Sequence, residues 1–310
     1  MLELMNVSKK FDAQYAVKNM NMYIEQGEIV GLLGPNGAGK STTISMMSSL
    51  IEPTSGDVLL HQQSVLKNPK PLRRISGIVP QELALYGDLT AKENLQFFGR
   101  LYNLTSKELE KKIKEVLHQV GLYERQHDLV RNYSGGMRRR LNIGIALLHN
   151  PEFIIMDEPT VGIDPQSRKY ILEIVKQFNE EYGMTVVYTS HYMEEVEFLC
   201  DRIYIMDRGD LIASGTKEEI KQIISTEHTI LIEVEMMKDK FIHYLEEEAR
   251  LKNVHAVDNK ITALVHQEIN AFQTILQHAE EAQVQLKSVE IEKPTLEDVF
   301  LHLTGRALRD

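Results

Sequence analysis

The segment Gly34-Pro35-Asn36-Gly37-Ala38-Gly39-Lys40-Ser41-Thr42 constrains this chain more than any other. It follows an apolar run, Ile29 to Leu33, and opens a stretch of helical pattern. Strand, glycine-rich turn and helix with the spacing GxxxxGK[ST] form a phosphate-binding loop. The glycines let backbone N–H groups turn inward, and the helix N-terminus adds positive potential. In that reading Lys40 reaches the β- and γ-phosphates, and the Ser41 hydroxyl faces Mg²⁺.

The rest of residues 1–218 fits an α/β core around that loop. Short apolar runs recur at Ile75 to Val79, Phe153 to Met156, Thr185 to Thr189 and Ile203 to Met206. Runs without polar alternation predict strands buried on both faces of a mainly parallel sheet. Between about residues 88 and 150 the pattern turns helical, with capping-box spacing at Thr90 to Glu93 and Thr105 to Glu108. This predicts a helical insert. Residues 219–310 change character and predict a small α+β domain of order βαββαβ, ferredoxin-like, with a closing helix. Its elements fall at Thr229 to Met236, Asp239 to Arg250, a hairpin over Val254 to Val265, Ile269 to Ala282, Val284 to Ile291 and Leu296 to Leu303.

Two further motifs carry chemistry. The strand Phe153 to Met156 ends in Asp157-Glu158, and buried carboxylates are costly unless paired or holding a metal. Beside a phosphate loop, Asp157 holds Mg²⁺ directly or through water, and Glu158 orients or deprotonates the attacking water. Ser134-Gly135-Gly136 precedes another helical run and offers a second anion cradle at a helix N-terminus. One phosphate loop needs no second cradle, so the economical reading gives it to the nucleotide of another copy.

Phosphate loop, Ser-Gly-Gly, Asp-Glu strand and a later histidine, in this order, resemble the ATP-binding subunit of ABC transporters over residues 1–218. The resemblance implies a phosphate-loop ATPase core of ABC type that binds ATP and Mg²⁺. It also implies a partner copy, a separately encoded membrane permease, and a peripheral place on the cytoplasmic membrane face. By the same resemblance Phe11 would stack on adenine, with Tyr15 as its rival. Gln81 would touch Mg²⁺ and the attacking water beside the permease contact, and His191 would contact the γ-phosphate. Ser134, Gly135 and Gly136 would cap the ATP of the opposite subunit, and the loop Gly162 to Asp164 would cross the dimer interface. Tyr133 stands where the family most often has leucine, a large and mostly apolar replacement. The run Arg138-Arg139-Arg140 and the ending Leu296 to Arg306 are similar to daunorubicin-resistance-type ATPases, which implies an exporter.

Composition limits the alternatives. The formal net charge is −10, which argues against nucleic acid as a partner, since that needs a basic face. A soluble ABC-type ATPase acting on nucleic acid would share the motifs; its relatives typically carry two ATPase domains or a long coiled-coil insert. A nucleotide-gated interaction module is a further reading, but it would be expected to lose one of Lys40, Asp157, Glu158 and His191. No apolar stretch approaches the roughly 20 residues of a spanning helix, and the N-terminus has no secretory pattern. The single cysteine, Cys200, reads as a buried apolar residue. For residues 219–310, a dimer-stabilising extension and a regulatory domain both stay open.

Overall fold

The computed structural model describes residues 1–102, 104–223, 227–266, 271–292 and 295–304. They divide into a first unit, Met1 to Lys217 with Leu303 and Thr304, and a second from Glu218 to His302. The first opens with strands β1 (Leu2–Phe11), β2 (Gln14–Ile24) and β3 (Ile29–Leu33) and helix α1 (Lys40–Met47). Strands β4 (Ser55–Leu60) and β5 (Gln63–Ser64), helix α2 (Lys70–Ile75) and strand β6 (Ser76–Val79) come next. Helices α3 (Ala91–Leu101), α4 (Ser106–Gln119) and α5 (Gly135–Leu147) form the helical insert. The chain then returns through β7 (Phe153–Met156), α6 (Pro165–Tyr182), β8 (Thr185–Ser190), α7 (Met193–Leu199), β9 (Arg202–Asp207) and β10 (Asp210–Thr216).

The apolar runs become the central sheet, of order β10-β9-β3-β8-β7-β6, parallel except for the edge strand β10. Strands β3, β7 and β8 are buried along their whole length, as expected of strands covered on both faces. Some boundaries differ from the sequence pattern, with β9 one residue longer at each end than Ile203 to Met206. Ile75 ends α2 instead of opening β6, and β8 runs one residue further, through Ser190. The register pairs Leu33 with Ser190, Tyr188 with Met156, and Met156 with Val79. The carboxyl ends of β3, β8, β7 and β6 therefore lie side by side at one edge, where open α/β sheets bind ligands.

A second, antiparallel sheet of order β2-β1-β4-β5 has no counterpart in the sequence expectations. Its strands are broken in pattern. Register shifts follow Leu4 and Val7, with Asn6 (φ 49°) and Asn19 (φ 43°) in the left-handed region. Each bulge moves the following side chains to the other face, so alternation fails as a signal.

Both capping boxes form. The Thr90 and Thr105 hydroxyls accept from the backbone N–H of Glu93 and Glu108, whose carboxylates accept from the threonine N–H groups in return. These contacts hold the Glu93 and Glu108 carboxyls below the usual range.

After helix α8 (Lys217–Gln222), the second unit has the order β11 (Glu227–Val234), α9 (Asp239–Glu247), β12 (Leu251–Val257), β13 (Lys260–His266), α10 (Phe272–Ala282), β14 (Leu286–Glu292) and α11 (Leu296–Thr304). Its sheet is antiparallel throughout, in the order β12-β13-β11-β14. Ile230, Ile232 and Val234 share one core with Phe241 and Leu245 of α9 and Ile275 and Ala279 of α10. The start expected for α10, at Ile269, and Gly305-Arg306 of the ending motif lie outside the described residues.

Replacing the cap Thr105→Ala removes the acceptor for the Glu108 N–H. A loss of about 1 kcal/mol in unfolding free energy, read from urea denaturation, is the expected outcome.

Candidate functional site

The phosphate loop spans the turn from β3 to α1 and has little room for side chains. Gly37 (φ 79°) and Gly39 (φ 107°) take left-handed backbone conformations. A Cβ on Gly39 would lie 2.5 Å from the Ala16 carbonyl oxygen, so that position admits glycine alone. Lys40 begins the helix and is 4% exposed. Its ammonium donates to the carbonyls of Gly34 (2.7 Å) and Pro35 (3.2 Å) and lies 2.9 Å from Glu158 Oε1. Ser41 is exposed at the same helix end, and Thr42 is half-buried.

Glu158 is the centre of the site. It follows β7 with φ 44°, unusual for a residue with a side chain, and is 4% exposed. Gln81, two residues beyond β6, donates its amide to Glu158 Oε2 at 3.2 Å. His191, next after β8, places Nδ1 3.4 Å from Glu158 Oε1. One carboxylate thus meets groups from the start of α1 and from just beyond β6 and β8. The Thr189 hydroxyl fixes the turn, accepting from the Glu158 N–H (2.8 Å) and donating to Asp157 Oδ1 (2.8 Å). The four residues read from sequence as catalytic, Lys40, Gln81, Glu158 and His191, come together.

Other expected site residues stand apart. Ser134 caps α5 by accepting from the Met137 N–H at 3.2 Å, and Gly135 faces open space. Asp164 caps α6, and the Ser167 N–H holds its carboxyl below the usual range. Among the described residues no hydrogen bond or ion pair joins Ser134, Gly135, Gly136 or Asp164 to the Glu158 cluster. Phe11 and Tyr15 are half-exposed and line one cavity with Gln14, Lys18, Gly37 and Arg208. Lys9 lies over the Phe11 ring and Lys10 over the Tyr15 ring. Cys200 is buried against Gly31, and burial pushes its thiol up.

Arg139 escaped the sequence reading, which took the triple arginine only as a family mark. Its guanidinium is buried and donates to the carbonyls of Pro80 (2.8 Å) and Gln81 (2.9 Å). Burial lowers its pKa. Arg208 of the Phe11 cavity was missed as well. The available signals, a charge on an otherwise apolar helix and a turn arginine, are too common to pick out.

A parallel sheet with a phosphate loop and an acid-tipped strand at its carboxyl edge defines a nucleotide-binding α/β protein. Family models match twice, as ABC transporter over residues 17–161 and as "ATP-binding protein DrrA1-3-like, C-terminal domain" over residues 215–304. The chain is 47% identical to the linearmycin resistance ATP-binding protein LnrL of Bacillus subtilis, over the whole of both chains. It is 32% identical to the doxorubicin resistance ATP-binding protein DrrA of Mycobacterium tuberculosis, covering 93% of this chain and 88% of that one. Among solved structures, a dimeric ATP-binding cassette in a post-hydrolysis state with ADP and Pi aligns with TM-score 0.64 and 30% identity. It spans 70% of this chain and 98% of that one. The chain belongs to the ATP-binding subunits of ABC transporters, with a DrrA-like C-terminal domain. It is a cassette ATPase, the subunit that hydrolyses ATP in such a transporter.

Gly39→Ala tests the loop directly. Strain at φ 107° and the clash with Ala16 should weaken ATP binding by tenfold or more in an equilibrium titration. A tenfold loss corresponds to about 1.4 kcal/mol.

Proposed function

We propose that this chain powers an exporter by closing and reopening a head-to-tail dimer around two ATP molecules, with Glu158 as the base. The convergence of Lys40, Gln81 and His191 on the buried Glu158 carries this reading. A γ-phosphate entering the loop competes for Lys40 and His191, because it brings more negative charge and more acceptor oxygens than one carboxylate. Glu158 is then released to accept the proton of a water oriented by Gln81. The water oxygen bonds to the γ-phosphorus while the bridging oxygen leaves with ADP.

Ser41, Asp157 and Gln81 offer hydroxyl, carboxylate and amide oxygens, the hard donors that suit Mg²⁺. When bound, the ion neutralises charge on the β- and γ-phosphates. Phe11 gives the adenine a ring face, and Tyr15 in the same cavity is the second platform.

The Ser134 to Gly136 end of α5 caps the ATP held by the partner copy, with Gly162 to Asp164 at the interface. Support comes from this cradle's having no hydrogen bond or ion pair to the Glu158 cluster among the described residues and from the dimeric form of the similar cassette. Each ATP then binds two copies together, and hydrolysis lets them part.

A membrane subunit is the second partner, and the chain sits against it at the cytoplasmic face. Among the described residues no helix is long and apolar enough to cross a membrane. Leu83 and Tyr86, just after Gln81, and Phe97 and Leu101 on α3 are exposed, and Tyr86 and Phe97 form an aromatic patch, edge-to-face at 4.9 Å. Such a patch suits the end of an apolar helix. The export direction rests on relatives named for resistance and, in Cupriavidus metallidurans, for Nod factor export.

Glu158→Gln should retain ATP binding, lower turnover at least 100-fold and accumulate dimer, read by phosphate release and light scattering. Hydrolysis near the normal rate would remove Glu158 as the base. Phe97→Arg should halve or abolish recovery of a multi-helix protein in a mild-detergent pull-down while basal ATPase stays unchanged. Undiminished recovery would place the permease contact elsewhere.

A further inference from the structure

Glu195 on α7 is as buried as Glu158, at 2% exposure, yet it touches none of the groups assigned to ATP. Its carboxylate accepts from the Thr160 hydroxyl at both oxygens (2.7 and 2.9 Å), from the Tyr188 hydroxyl (3.0 Å) and from the Ser190 hydroxyl (2.9 Å). The nearest cation is Arg168, with Nε at 3.4 Å. A buried carboxylate held mainly by neutral hydroxyls is an expensive way to fill space, and an apolar side chain would fill it at less cost.

The partners explain the expense. Thr160 lies two residues beyond Glu158, in the turn that Glu158 opens at φ 44°. Ser190 immediately precedes His191, and its hydroxyl also accepts from the Tyr192 N–H at 2.9 Å, closing the turn around His191. Arg168 stands four residues beyond the Asp164 cap and stacks over the Tyr192 ring at 4.4 Å. One carboxylate therefore straps together the turn after β7, the turn after β8 and the start of α6.

We infer that Glu195 is a positioning residue for hydrolysis, holding Glu158 and His191 in mutual register through Thr160 and Ser190. It touches no substrate atom, and the inference rests on the roles proposed above for Glu158 and His191. A misplacement of about 1 Å at a reacting group costs on the order of 100-fold in rate. Binding at the phosphate loop has no such strap and should be spared.

The test compares steady-state ATPase, ATP affinity and thermal unfolding of the full chain for Glu195→Gln, Thr160→Val, Ser190→Ala and their doubles. Glu195→Gln should lower kcat about 10- to 100-fold with KM and ATP affinity within about twofold. Thr160→Val and Ser190→Ala should each lower kcat less, and neither should lower it further in the Glu195→Gln background. Unchanged kcat in Glu195→Gln would overturn the inference. So would losses that multiply in the doubles, or that track unfolding temperature and KM alike, since these mark a merely structural role. If Glu195→Gln does not fold, the two hydroxyl variants and their double decide by the same split and non-additivity. Glu158→Gln run in parallel separates the two readings. Full activity there removes Glu158 as the base, whereas an inactive Glu158→Gln beside a fully active Glu195→Gln removes only the strap.

Discussion

A carboxylate at 4% exposure must be met by donors and cations, or its desolvation outweighs what the surrounding packing supplies. Glu158 imposes that demand on the first unit. Its partners Lys40, Gln81 and His191 come from chain positions as distant as 40 and 191, so no local motif can bring them together. The parallel register does so. Pairing Leu33 with Ser190, and Met156 with both Tyr188 and Val79, sets four strand ends level to within two residues. A one-residue slip in any of these pairs would move a partner by more than a hydrogen-bond length and turn its side chain to the other face.

The turn itself is strained. A left-handed φ of 44° at a glutamate persists only where surrounding contacts over-determine it. Thr189 supplies one constraint by holding the Glu158 N–H and the Asp157 carboxylate on a single hydroxyl. Thr160 supplies a second through Glu195. Gln81 is constrained from behind, because Arg139 takes the carbonyls of Pro80 and Gln81 and leaves the side chain to face Glu158. Each contact fixes backbone, and the side chains that converge on Glu158 inherit their aim.

This division explains what the sequence made legible. The strand cores at Ile29, Phe153 and Thr185, the phosphate loop and the two capping boxes depend on neighbours within a few residues, and each was readable. Lys40 and Glu158 were readable from the phosphate-loop spacing and from the acid pair that ends an apolar strand, whereas Gln81 and His191 were legible only through the family resemblance. The antiparallel sheet was not, because bulges at Asn6 and Asn19 erase its alternation. Arg139 and Glu195 were hidden for another reason. Both lie on helices, where charged residues usually face solvent, and each has a partner far along the chain, Gln81 at 58 positions and Thr160 at 35. Burial and aim emerge only when α5 and α7 dock on the sheet.

The proposed dimer must also tolerate charge. Each copy carries a formal −10, and ATP adds more of the same sign. At physiological ionic strength the screening length is about 8 Å, well short of a domain's width, so most of that charge is not felt across the interface. What remains is local. In the proposed dimer the N-terminus of α5 would meet the γ-phosphate with backbone N–H groups and a helix dipole, while Lys40 and His191 would meet it from the other side. Both faces are donors, so in the proposed dimer they attract one another only through the anion between them. The same arithmetic gives the release step its force. Once the γ-phosphate left, that bridging anion would be gone, and the proposed dimer would lose the short-range attraction it supplies at the seam.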